Sequence, residues 1–503
     1  MLLCKIKSVI AIPLPTKGDI QPKFDMVLYS YILIRRTNMS DQQKKSFWQM
    51  DKDHFMHPYT DYSTFHQEGS QVISEAEGNY IFTANGHKML DGIAGLWCAN
   101  IGHARKDMAD AIHKQITTMQ YYNPFGHTTN EPAAELASKL AEISPGDLNH
   151  VFYTCGGSTA NDIAVRLVHY YNNLRGKPNK KKIISRNYGY HGSTYFAANL
   201  TGIHGTKDCF DQVAQDVVSH ISAADMYRRP AGCENLSEQE YAQFLADELE
   251  NRIQQLGADN VAAFIAEPIM GAGGVLVAPE TYHKLCWQVC QKHDVLFIAD
   301  EVVTAFGRLG EWVASKELFD YQPDILIVAK GINSGYVPLG AAIFSDEIYD
   351  VISKPQSDGG VLSLGFTYSG HATACAAALK NIEIIEKENI LENVKNLGPI
   401  FQDGAKELLS SPIVGDVRGK GFMLGIDLVC DKQTKAPLNV ASRVFDKCIS
   451  KGLVIRPIVN LIVISPPLTL NKDEVINLLA IVTESIEEVY QEVHEEIKNE
   501  QKS

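Results

Sequence analysis

Two ionisable residues stand at the ends of consecutive apolar segments. Residues 325–329 form an apolar run of strand length that ends in Lys330, and residues 295–299 form a similar run that ends in Asp300. Glycine and proline follow the first run at once, which is typical of a strand that breaks into a turn. The pattern therefore predicts two buried strands whose carboxyl ends carry an amine and a carboxylate. In open parallel sheets this edge is where ligands bind.

The chemistry of this pair depends on what neutralises the lysine. A buried amine is costly unless it is paired or uncharged, and a lysine that forms an imine with a carbonyl cofactor meets this condition. A carboxylate facing such a cofactor is what pyridoxal phosphate requires, because it keeps the ring nitrogen protonated. A structural ion pair between Asp300 and Lys330, or a lysine exposed at a strand end, also explains the two residues. Other motifs have to decide between these interpretations.

The stretch VFYTCGGSTANDIAVRLVHYY, at residues 151–171, predicts a strand, a Gly-Gly-Ser-Thr turn and a helix. Such a turn leaves backbone N–H groups and hydroxyls at the amino terminus of the helix, where an anion such as phosphate is favoured. A nucleotide P-loop is not indicated, since no lysine follows the glycines in the required position. Tyr190 follows the next predicted strand, where it could stack on a planar cofactor or simply be an aromatic residue of a turn.

Composition excludes several classes of partner. The chain has 46 basic and 60 acidic residues and a net charge of −14, which disfavours nucleic acids and anionic membranes as general partners. The ten cysteines show no pairing pattern, so we interpret them as thiols of a reducing compartment, the cytoplasm. No spacing of His and Cys residues predicts a metal site. The Gly-rich run at 271–274 lacks the full GxGxxG spacing of a dinucleotide-binding fold.

Alternating strand and helix patterns through residue 346 predict an α/β fold with a mostly parallel sheet between helices. After about residue 390 the pattern changes to helices with short strands, which indicates a smaller α+β domain. The predicted organisation is a non-catalytic extension at 1–38, an N-terminal segment with short strands at 39–100, a large domain at 101–365, a connecting helix region at 366–390 and a small domain at 391–503.

The motifs occur in an order that resembles one family. The chain from about Met39 to its end is similar to the class III, or ω-, aminotransferases of the pyridoxal-phosphate fold-type I superfamily. The motifs that carry the resemblance are GGSTAND, YHGST, EP followed by a glycine run, DEV and FGR, AKG, GFTYSGH, VRGKG and a late SPP. Within the family, HPYTD, GLWCANIGHARKD and YYNPF resemble the branch that transfers amino groups from amines or ω-amino acids to pyruvate.

The resemblance implies a role for each cofactor-binding residue. Lys330 binds pyridoxal phosphate covalently and then moves a proton between the substrate and the cofactor, while Asp300 pairs with the ring nitrogen. Val302 and Tyr190 enclose the ring. The phosphate is held by Gly157 and Ser158, and by Thr367 of the neighbouring subunit. Thr159 departs from the family pattern, because many relatives have Glu at this position.

The resemblance also implies a substrate pocket and a partner. The residues of the pocket are Tyr59, Trp97, Phe125 and Arg456, the last being a mobile arginine that binds the carboxylate of a keto acid. The shared phosphate site implies a homodimer with two shared active sites, or a tetramer. An aminomutase or decarboxylase on the same fold is the alternative, and an NAD-dependent oxidoreductase is a more remote one. The sequence does not identify the physiological amine donor.

Residues 1–38 contain six Lys or Arg, two Asp and no Glu, and we interpret them as an upstream extension of no catalytic importance, with a targeting signal as the alternative. We therefore predict that they are dispensable. A chain that begins at Met39 should fold and transaminate at the rate of the full chain. Steady-state rates and melting temperatures of the two proteins, measured side by side, test this prediction. An insoluble or inactive shortened protein would contradict it.

Overall fold

The computed structural model of the chain describes residues 41–354 and 361–500. Within the described part, the chain divides into two compact units. The first contains residues 41–75 and Thr83–Gly86, and the second contains Ala76–Phe82 and the residues from His87 onwards. The predicted extension at 1–38 lies outside the described residues.

The first unit is built around a buried aromatic residue. Its helices are α1 (Asp41–His54) and α2 (Tyr62–Glu68). The carboxylate of Asp61 accepts a hydrogen bond of 2.8 Å from the backbone N–H of Ser63 and so caps α2. Phe65 of α2 is buried, and its ring meets that of Trp48 edge-to-face with 5.3 Å between the centroids.

Helices and strands alternate along most of the second unit. The helices are α3 (Ala94–Trp97), α4 (Lys106–Met119), α5 (Glu131–Ile143), α6 (Gly157–Leu174), α7 (Ala197–Leu200), α8 (Glu238–Leu256), α9 (Tyr282–Lys292), α10 (Ala314–Phe319), α11 (Asp346–Ile352), α12 (Ala372–Lys387), α13 (Ile390–Lys406), α14 (Ala441–Ser450) and α15 (Lys472–Glu500). Short 3-10 turns cover Ala258–Asn260, Lys330–Ile332 and Glu407–Ser410.

The strands of the described chain are short. They are β1 (Ile73–Glu77), β2 (Tyr80–Thr83), β3 (Lys88–Asp91), β4 (Leu148–Thr154), β5 (Lys182–Arg186), β6 (Val218–Ile221), β7 (Val261–Ala266), β8 (Ile269–Met270), β9 (Leu276–Val277), β10 (Leu296–Asp300), β11 (Ile325–Val328), β12 (Gly340–Ser345), β13 (Val414–Lys420), β14 (Met423–Asp431), β15 (Ala436–Pro437), β16 (Leu453–Val454), β17 (Arg456–Ile458) and β18 (Leu461–Ile464).

A sheet of seven strands, in the order β4-β12-β11-β10-β7-β5-β6, forms the centre of the second unit. The strands from β11 to β6 pair in parallel, whereas β12 pairs antiparallel with both of its neighbours. The predicted mixed α/β fold with a mostly parallel sheet is confirmed. The antiparallel β12 was not foreseen, because the direction of a strand depends on pairing that an apolar run does not encode.

The side chains of the central strands alternate between two cores. In β10, Phe297 and Ala299 belong to one hydrophobic cluster, while Ile298 belongs to another together with residues of α6. Every residue of β7, β10, β11 and β12 is buried. A parallel sheet covered by helices on both faces requires such continuous apolar strands, because no face is left to water.

Two smaller sheets complete the second unit. The C-terminal sheet has the order β13-β14-β18-β17, all antiparallel, and β15 pairs with β14 at its side. Elsewhere β3 pairs in parallel with β16, with Leu90 opposite Leu453 and Asp91 opposite Val454. This short pairing brings the chain that follows Asp91 beside the chain that follows Val454.

The described helices carry no membrane-spanning signature: none in residues 41–354 or 361–500 is long and apolar enough to cross a bilayer. The same residues contain no group of three or more His, Cys, Asp or Glu side chains placed to hold a metal ion.

A buried arginine ties three distant segments of the second unit together. Arg308 is completely inaccessible to solvent. Its guanidinium donates to the carbonyl oxygens of Phe422 (3.3 Å) and Pro466, and to the side-chain oxygen of Asn100 at 2.7 Å. Burial lowers the pKa of Arg308 to about 9. Because the planar fork reaches several acceptors at once, a lysine cannot replace it.

The variant Arg308→Lys should lower the free energy of unfolding by about 3 kcal/mol, because buried acceptors lose their donors. Urea unfolding followed by fluorescence measures this effect. Arg443→Lys is the matched control, since Arg443 is 41% exposed and pairs with Glu492 at the surface. Equal stabilities of the two variants would show that the buried guanidinium does not hold the segments together.

Candidate active site

Adjacent strand ends bring the two residues of the first motif together. β10 ends at Asp300, and β11, its parallel neighbour, is followed by Ala329 and Lys330. In the register of the two strands, Asp300 lies opposite Ile327. The carboxylate and the amine therefore belong to the same edge of the sheet, as the sequence predicted.

Lys330 occupies an unusual position in the backbone. It begins a 3-10 turn with a φ of +44°, a conformation that side chains other than glycine rarely adopt. The next residue, Gly331, leaves no room for a side chain, since a Cβ there would lie 2.5 Å from the amide nitrogen of Asn100. The tight turn directs the chain away from the strand and leaves the lysine at its mouth.

The environment of Lys330 lowers the pKa of its amine. Burial lowers the pKa of Lys330, and the nearby charge of Arg456 lowers it further. Cys98, Asp300 and Glu267 act in the opposite direction but do not reverse the shift. A lysine with a lowered pKa is the form that attacks carbonyl compounds and accepts protons near neutral pH.

Asp300 is held in place by three donors. It is 4% exposed, and one of its oxygens accepts hydrogen bonds from Asn161 at 2.9 Å and from His191 Nδ1 at 2.8 Å. The other oxygen accepts from the backbone N–H of Val302 at 3.2 Å. Asn161 and His191 lie in the motifs GGSTAND and YHGST, but the sequence analysis assigned neither residue a role. Their only signal was a polar side chain within each predicted cofactor motif.

An anion-binding turn lies at the start of α6. The helix begins at Gly157 after Gly156, and no side chain caps its first amides. The hydroxyl of Ser158 accepts from the N–H of Ser193 at 3.1 Å, and Gly192 must be a glycine because a Cβ would lie 2.4 Å from that hydroxyl. Uncapped amides at the amino terminus of a long helix bind anions.

Thr159 departs from the family pattern, and the turn accommodates it through a local hydrogen bond. Its hydroxyl donates to the carbonyl oxygen of Gly156 at 2.8 Å, so it is satisfied within the first turn of α6. Val302 packs against the same turn. The side chain of Val302 lies so close to Gly157 that a Cβ on this glycine would be 3.0 Å from it. Val302 therefore lies between the carboxylate of Asp300 and the anion-binding turn.

Tyr190 stands beside these groups. Its hydroxyl is 3.0 Å from that of Ser193, and its backbone N–H donates to Glu267 at 2.9 Å. The second oxygen of Glu267 accepts from the N–H of Gly271 at 3.0 Å. Glu267 is 5% exposed, and burial raises its pKa. This carboxyl group fixes the loop that presents Tyr190.

Trp97 faces two basic side chains. The amine of Lys330 lies 5.5 Å from the centroid of its indole, and the guanidinium of Arg456 lies 4.9 Å from the same centroid. Trp97 itself is 4% exposed. The structure thus brings together three residues that the sequence analysis assigned to catalysis and to the substrate pocket, and it does so through cation–π contacts.

The turn that presents Trp97 is held by Asp91. One carboxylate oxygen accepts from the N–H of Ile93 at 3.1 Å, and the other accepts from the N–H of Gly95 at 2.6 Å and from His103 at 2.8 Å. Within this turn Trp97 has a φ of +58°. A left-handed conformation at so large a residue persists only where the surroundings fix it, and Asp91 supplies that constraint.

The remaining predicted site residues, Tyr59, Phe125 and Thr367, have exposed side chains. Tyr59 belongs to the first unit and is 73% exposed. Phe125 and Thr367 are exposed, and they share one surface: Phe125 is 3.1 Å from the position of a Cβ on Gly365, and the carbonyl oxygen of Thr367 accepts from Tyr121 at 2.7 Å. The roles of Tyr59, Phe125 and Thr367 stay predictions.

The residues present fit pyridoxal phosphate. This cofactor needs an amine for covalent attachment, a carboxylate for its ring nitrogen and an anion site for its phosphate. Lys330, Asp300 and the uncapped start of α6 are of these three kinds. Buried polar atoms without a protein partner among the described residues, such as Trp97 Nε1 and His191 Nε2, also occur beside these groups.

Comparison with known proteins agrees with this chemistry. The family model of class III aminotransferases matches residues 63–486. A putrescine–pyruvate aminotransferase of Pseudomonas aeruginosa is 39% identical over 88% of this chain and 96% of its own length. The mitochondrial γ-aminobutyrate transaminase 1 of Oryza sativa subsp. indica is 40% identical over 84% of this chain and 82% of its own.

Solved structures show the same fold. An (S)-enantioselective ω-transaminase from Thermomicrobium roseum is 37% identical, with a TM-score of 0.85 over 88% of this chain and 98% of its own. An ω-transaminase from Pseudomonas jessenii, solved in complex with PMP, is 36% identical, with a TM-score of 0.86 over 89% and 99%. The predicted fold-type I architecture is confirmed. The chain belongs to the class III aminotransferases, which are enzymes that transfer amino groups with pyridoxal phosphate as cofactor.

Proposed function

We propose that this aminotransferase moves an amino group from an amine or ω-amino acid to pyruvate in two half-reactions. The observation that carries the proposal is the amine of Lys330 with its lowered pKa, one strand away from the buried carboxylate of Asp300. Pyridoxal phosphate, when bound, supplies an electron sink for the carbon that loses its proton.

The residues of the chain have separate tasks in this reaction. Lys330 takes the proton from the reacting carbon and returns it, a task that requires an amine able to lose its charge near neutral pH. Asp300 holds the ring nitrogen of the cofactor in its charged form, and His191 and Asn161 keep that carboxylate in position. The amides of Gly157 and Ser158 bind the phosphate, and Val302 and Tyr190 border the ring.

Arg456 is our candidate for the carboxylate of the keto acid. A fixed, unpaired cation would be costly whenever an amine without a carboxylate is bound. Stacking on the indole of Trp97 stabilises the guanidinium of Arg456 beside the site when no carboxylate is bound. The planar guanidinium suits bidentate binding of a carboxylate. The name of the P. aeruginosa relative supports pyruvate as the acceptor.

Engineered relatives support the choice of pocket residues. One solved ω-transaminase variant, 34% identical to this chain, was engineered for bulky amines by substitutions of one tryptophan, one phenylalanine and one arginine. The three substituted positions are separated by the same intervals as Trp97, Phe125 and Arg456. This correspondence favours a pocket in which Trp97 and Phe125 limit the size of the amine.

We propose a homodimer on the evidence of one exposed surface. Phe125 is 54% exposed and Tyr368 is 57% exposed, and Val361, seven residues before Tyr368 in the sequence, is 79% exposed. Large apolar side chains grouped around Thr367 are typical of an interface. A second copy on this surface would bring Thr367 into the partner's site, which is the arrangement that the family resemblance implies, and Phe125 would lie beside it.

We also propose that the enzyme works in the cytoplasm. Five cysteines of the described residues are buried free thiols, namely Cys233, Cys286, Cys290, Cys375 and Cys448. Free thiols are maintained in reducing compartments. Imaging of the tagged protein in its own cells tests this assignment.

The variant Lys330→Ala should lose at least about a thousandfold in turnover, because both the covalent attachment and the proton transfer disappear. Cofactor should still bind through the phosphate turn, which an absorbance spectrum of the purified protein shows. Lys316→Ala is the matched control, since Lys316 is 49% exposed on α10. Near-normal turnover of Lys330→Ala, or a colourless wild-type enzyme that requires NAD, would refute the proposed function.

The variant Arg456→Ala should raise the KM for pyruvate by about tenfold or more, because a charge-assisted pair with the carboxylate is lost. The first half-reaction with an amine that lacks a carboxylate should stay within about twofold of wild type. Stopped-flow spectra of each half-reaction separate the two effects. If both half-reactions slow equally, Arg456 does not select the keto acid.

A further inference from the structure

A polar cleft on the second unit is not used by the chemistry described above. Its volume is about 530 Å³, and its walls are residues 226–229, residues 234–236 and the turn at 433–435 between β14 and β15. Pockets of this size take small molecules. The cleft therefore has room for a ligand, and its charges indicate the kind.

One of the three cations that line the cleft is neutralised within the protein. Both terminal nitrogens of Arg228 donate to the carboxylate of Asp427, one of them at 2.8 Å. Asp427 is completely buried, so this pair is a fixed part of the structure. Arg228 also donates to the carbonyl oxygen of Lys435 at 3.2 Å and thereby anchors the turn.

The other two cations lack a carboxylate. Arg229 donates to the carbonyl oxygens of Leu236 and Cys233, and the amine of Lys435 donates to the carbonyl oxygen of Tyr227 at 2.6 Å. Among residues 41–354 and 361–500, no carboxylate lies within ion-pair distance of either side chain. Both side chains are half-buried. Glu234 is the carboxylate in the lining of the cleft, and it accepts a hydrogen bond of 2.8 Å from the backbone N–H of Gly232 and forms no ion pair with Arg229 or Lys435. Two half-buried positive charges thus border the cleft without an ion-pair partner, and with Arg228 the cations of the lining outnumber its one carboxylate.

Aromatic rings hold these cations in fixed positions. The guanidinium of Arg229 lies 4.7 Å from the ring centroid of Tyr241, and the amine of Lys435 lies 4.8 Å from that of Tyr227. Side chains that are placed before a ligand arrives lose little entropy when it binds. The cleft is therefore organised for an anion, although the chain as a whole has a net charge of −14.

We propose that this cleft binds a small oxyanion with at least two negative charges, a phosphate ester or a polycarboxylate, between Arg229 and Lys435. The ligand would connect segment 226–236 with the turn at 433–435, so binding should stabilise the folded enzyme. This site does not depend on the proposed substrate or on the residues that bind the cofactor, and its test is independent of theirs.

The experiment uses the enzyme with its cofactor bound. Inorganic phosphate and citrate are titrated separately by calorimetry and by melting temperature, with sodium chloride added to keep the ionic strength constant. Lys435→Gln and Arg229→Gln should each weaken binding by about tenfold, because a charge-assisted contact is lost. Lys432→Gln is the matched control: Lys432 lies in the same hairpin and donates to the carbonyl oxygen of Leu409, outside the cleft.

The outcomes separate the possibilities. Binding of both anions supports a general oxyanion site, and binding of phosphate or citrate alone identifies the class of ligand. Retained binding in Arg456→Ala excludes the keto-acid site as its location, and unchanged basal transamination in Lys435→Gln shows that this variant is folded. The proposal is overturned if neither anion binds more tightly than chloride, or if Lys435→Gln and Arg229→Gln bind as wild type does.

Discussion

The buried carboxylate of Asp300 is the group on which the arrangement of the cofactor site depends. A carboxylate that is 4% exposed must be fully hydrogen-bonded, and its donors come from three separate segments. Asn161 belongs to the helix whose start binds the anion, His191 belongs to the loop that covers Ser158, and the N–H of Val302 follows β10. Satisfying one buried charge therefore aligns the anion-binding turn, its covering loop and the strand end.

A second constraint joins the substrate-binding residues. The short parallel pairing of β3 with β16 places Asp91 opposite Val454, and the chain continues from there to Trp97 on one side and to Arg456 on the other. Gly92 lies so close to this strand that a Cβ would be 2.3 Å from the carbonyl oxygen of Val454. The indole of Trp97 and the guanidinium of Arg456 lie together because the ends of β3 and β16 are adjacent. In the same way, the adjacent ends of β10 and β11 bring Asp300 and Lys330 to one edge of the sheet.

The sequence predicted the strand ends and the anion turn because each is a local pattern. An apolar run followed by Asp300 or Lys330, and glycines before an amphipathic helix, are visible within a window of about twenty residues. The partners of Asp300 were not predictable in this way, since Asn161 and His191 lie 139 and 109 residues from it along the chain. A polar side chain in a motif does not reveal which distant group it satisfies.

The contact of Trp97 with Arg456 was also beyond local reasoning, although the family resemblance named both residues. Its cause is the register of β3 with β16, strands too short to give a pattern of their own. The division at about residue 390 rests on a change of pattern, and the boundaries drawn from it stay predictions. The predicted role of Thr367 requires a second copy of the chain, and local sequence patterns do not show contacts between copies.

Burial of Lys330 connects the packing of the fold with the reactivity of its amine. Burial at the mouth of β11 lowers the pKa of Lys330, and the positive charge of Arg456 beyond the indole of Trp97 lowers it further. The nearby acids, Asp300 and Glu267, would hold a proton on the amine if burial were weaker. Since the same packing that excludes water also lowers the pKa of the amine, the reactivity of Lys330 depends on the close fit of the surrounding turns. A looser fit would weaken this effect of burial and raise the pKa of the amine towards that of an exposed lysine.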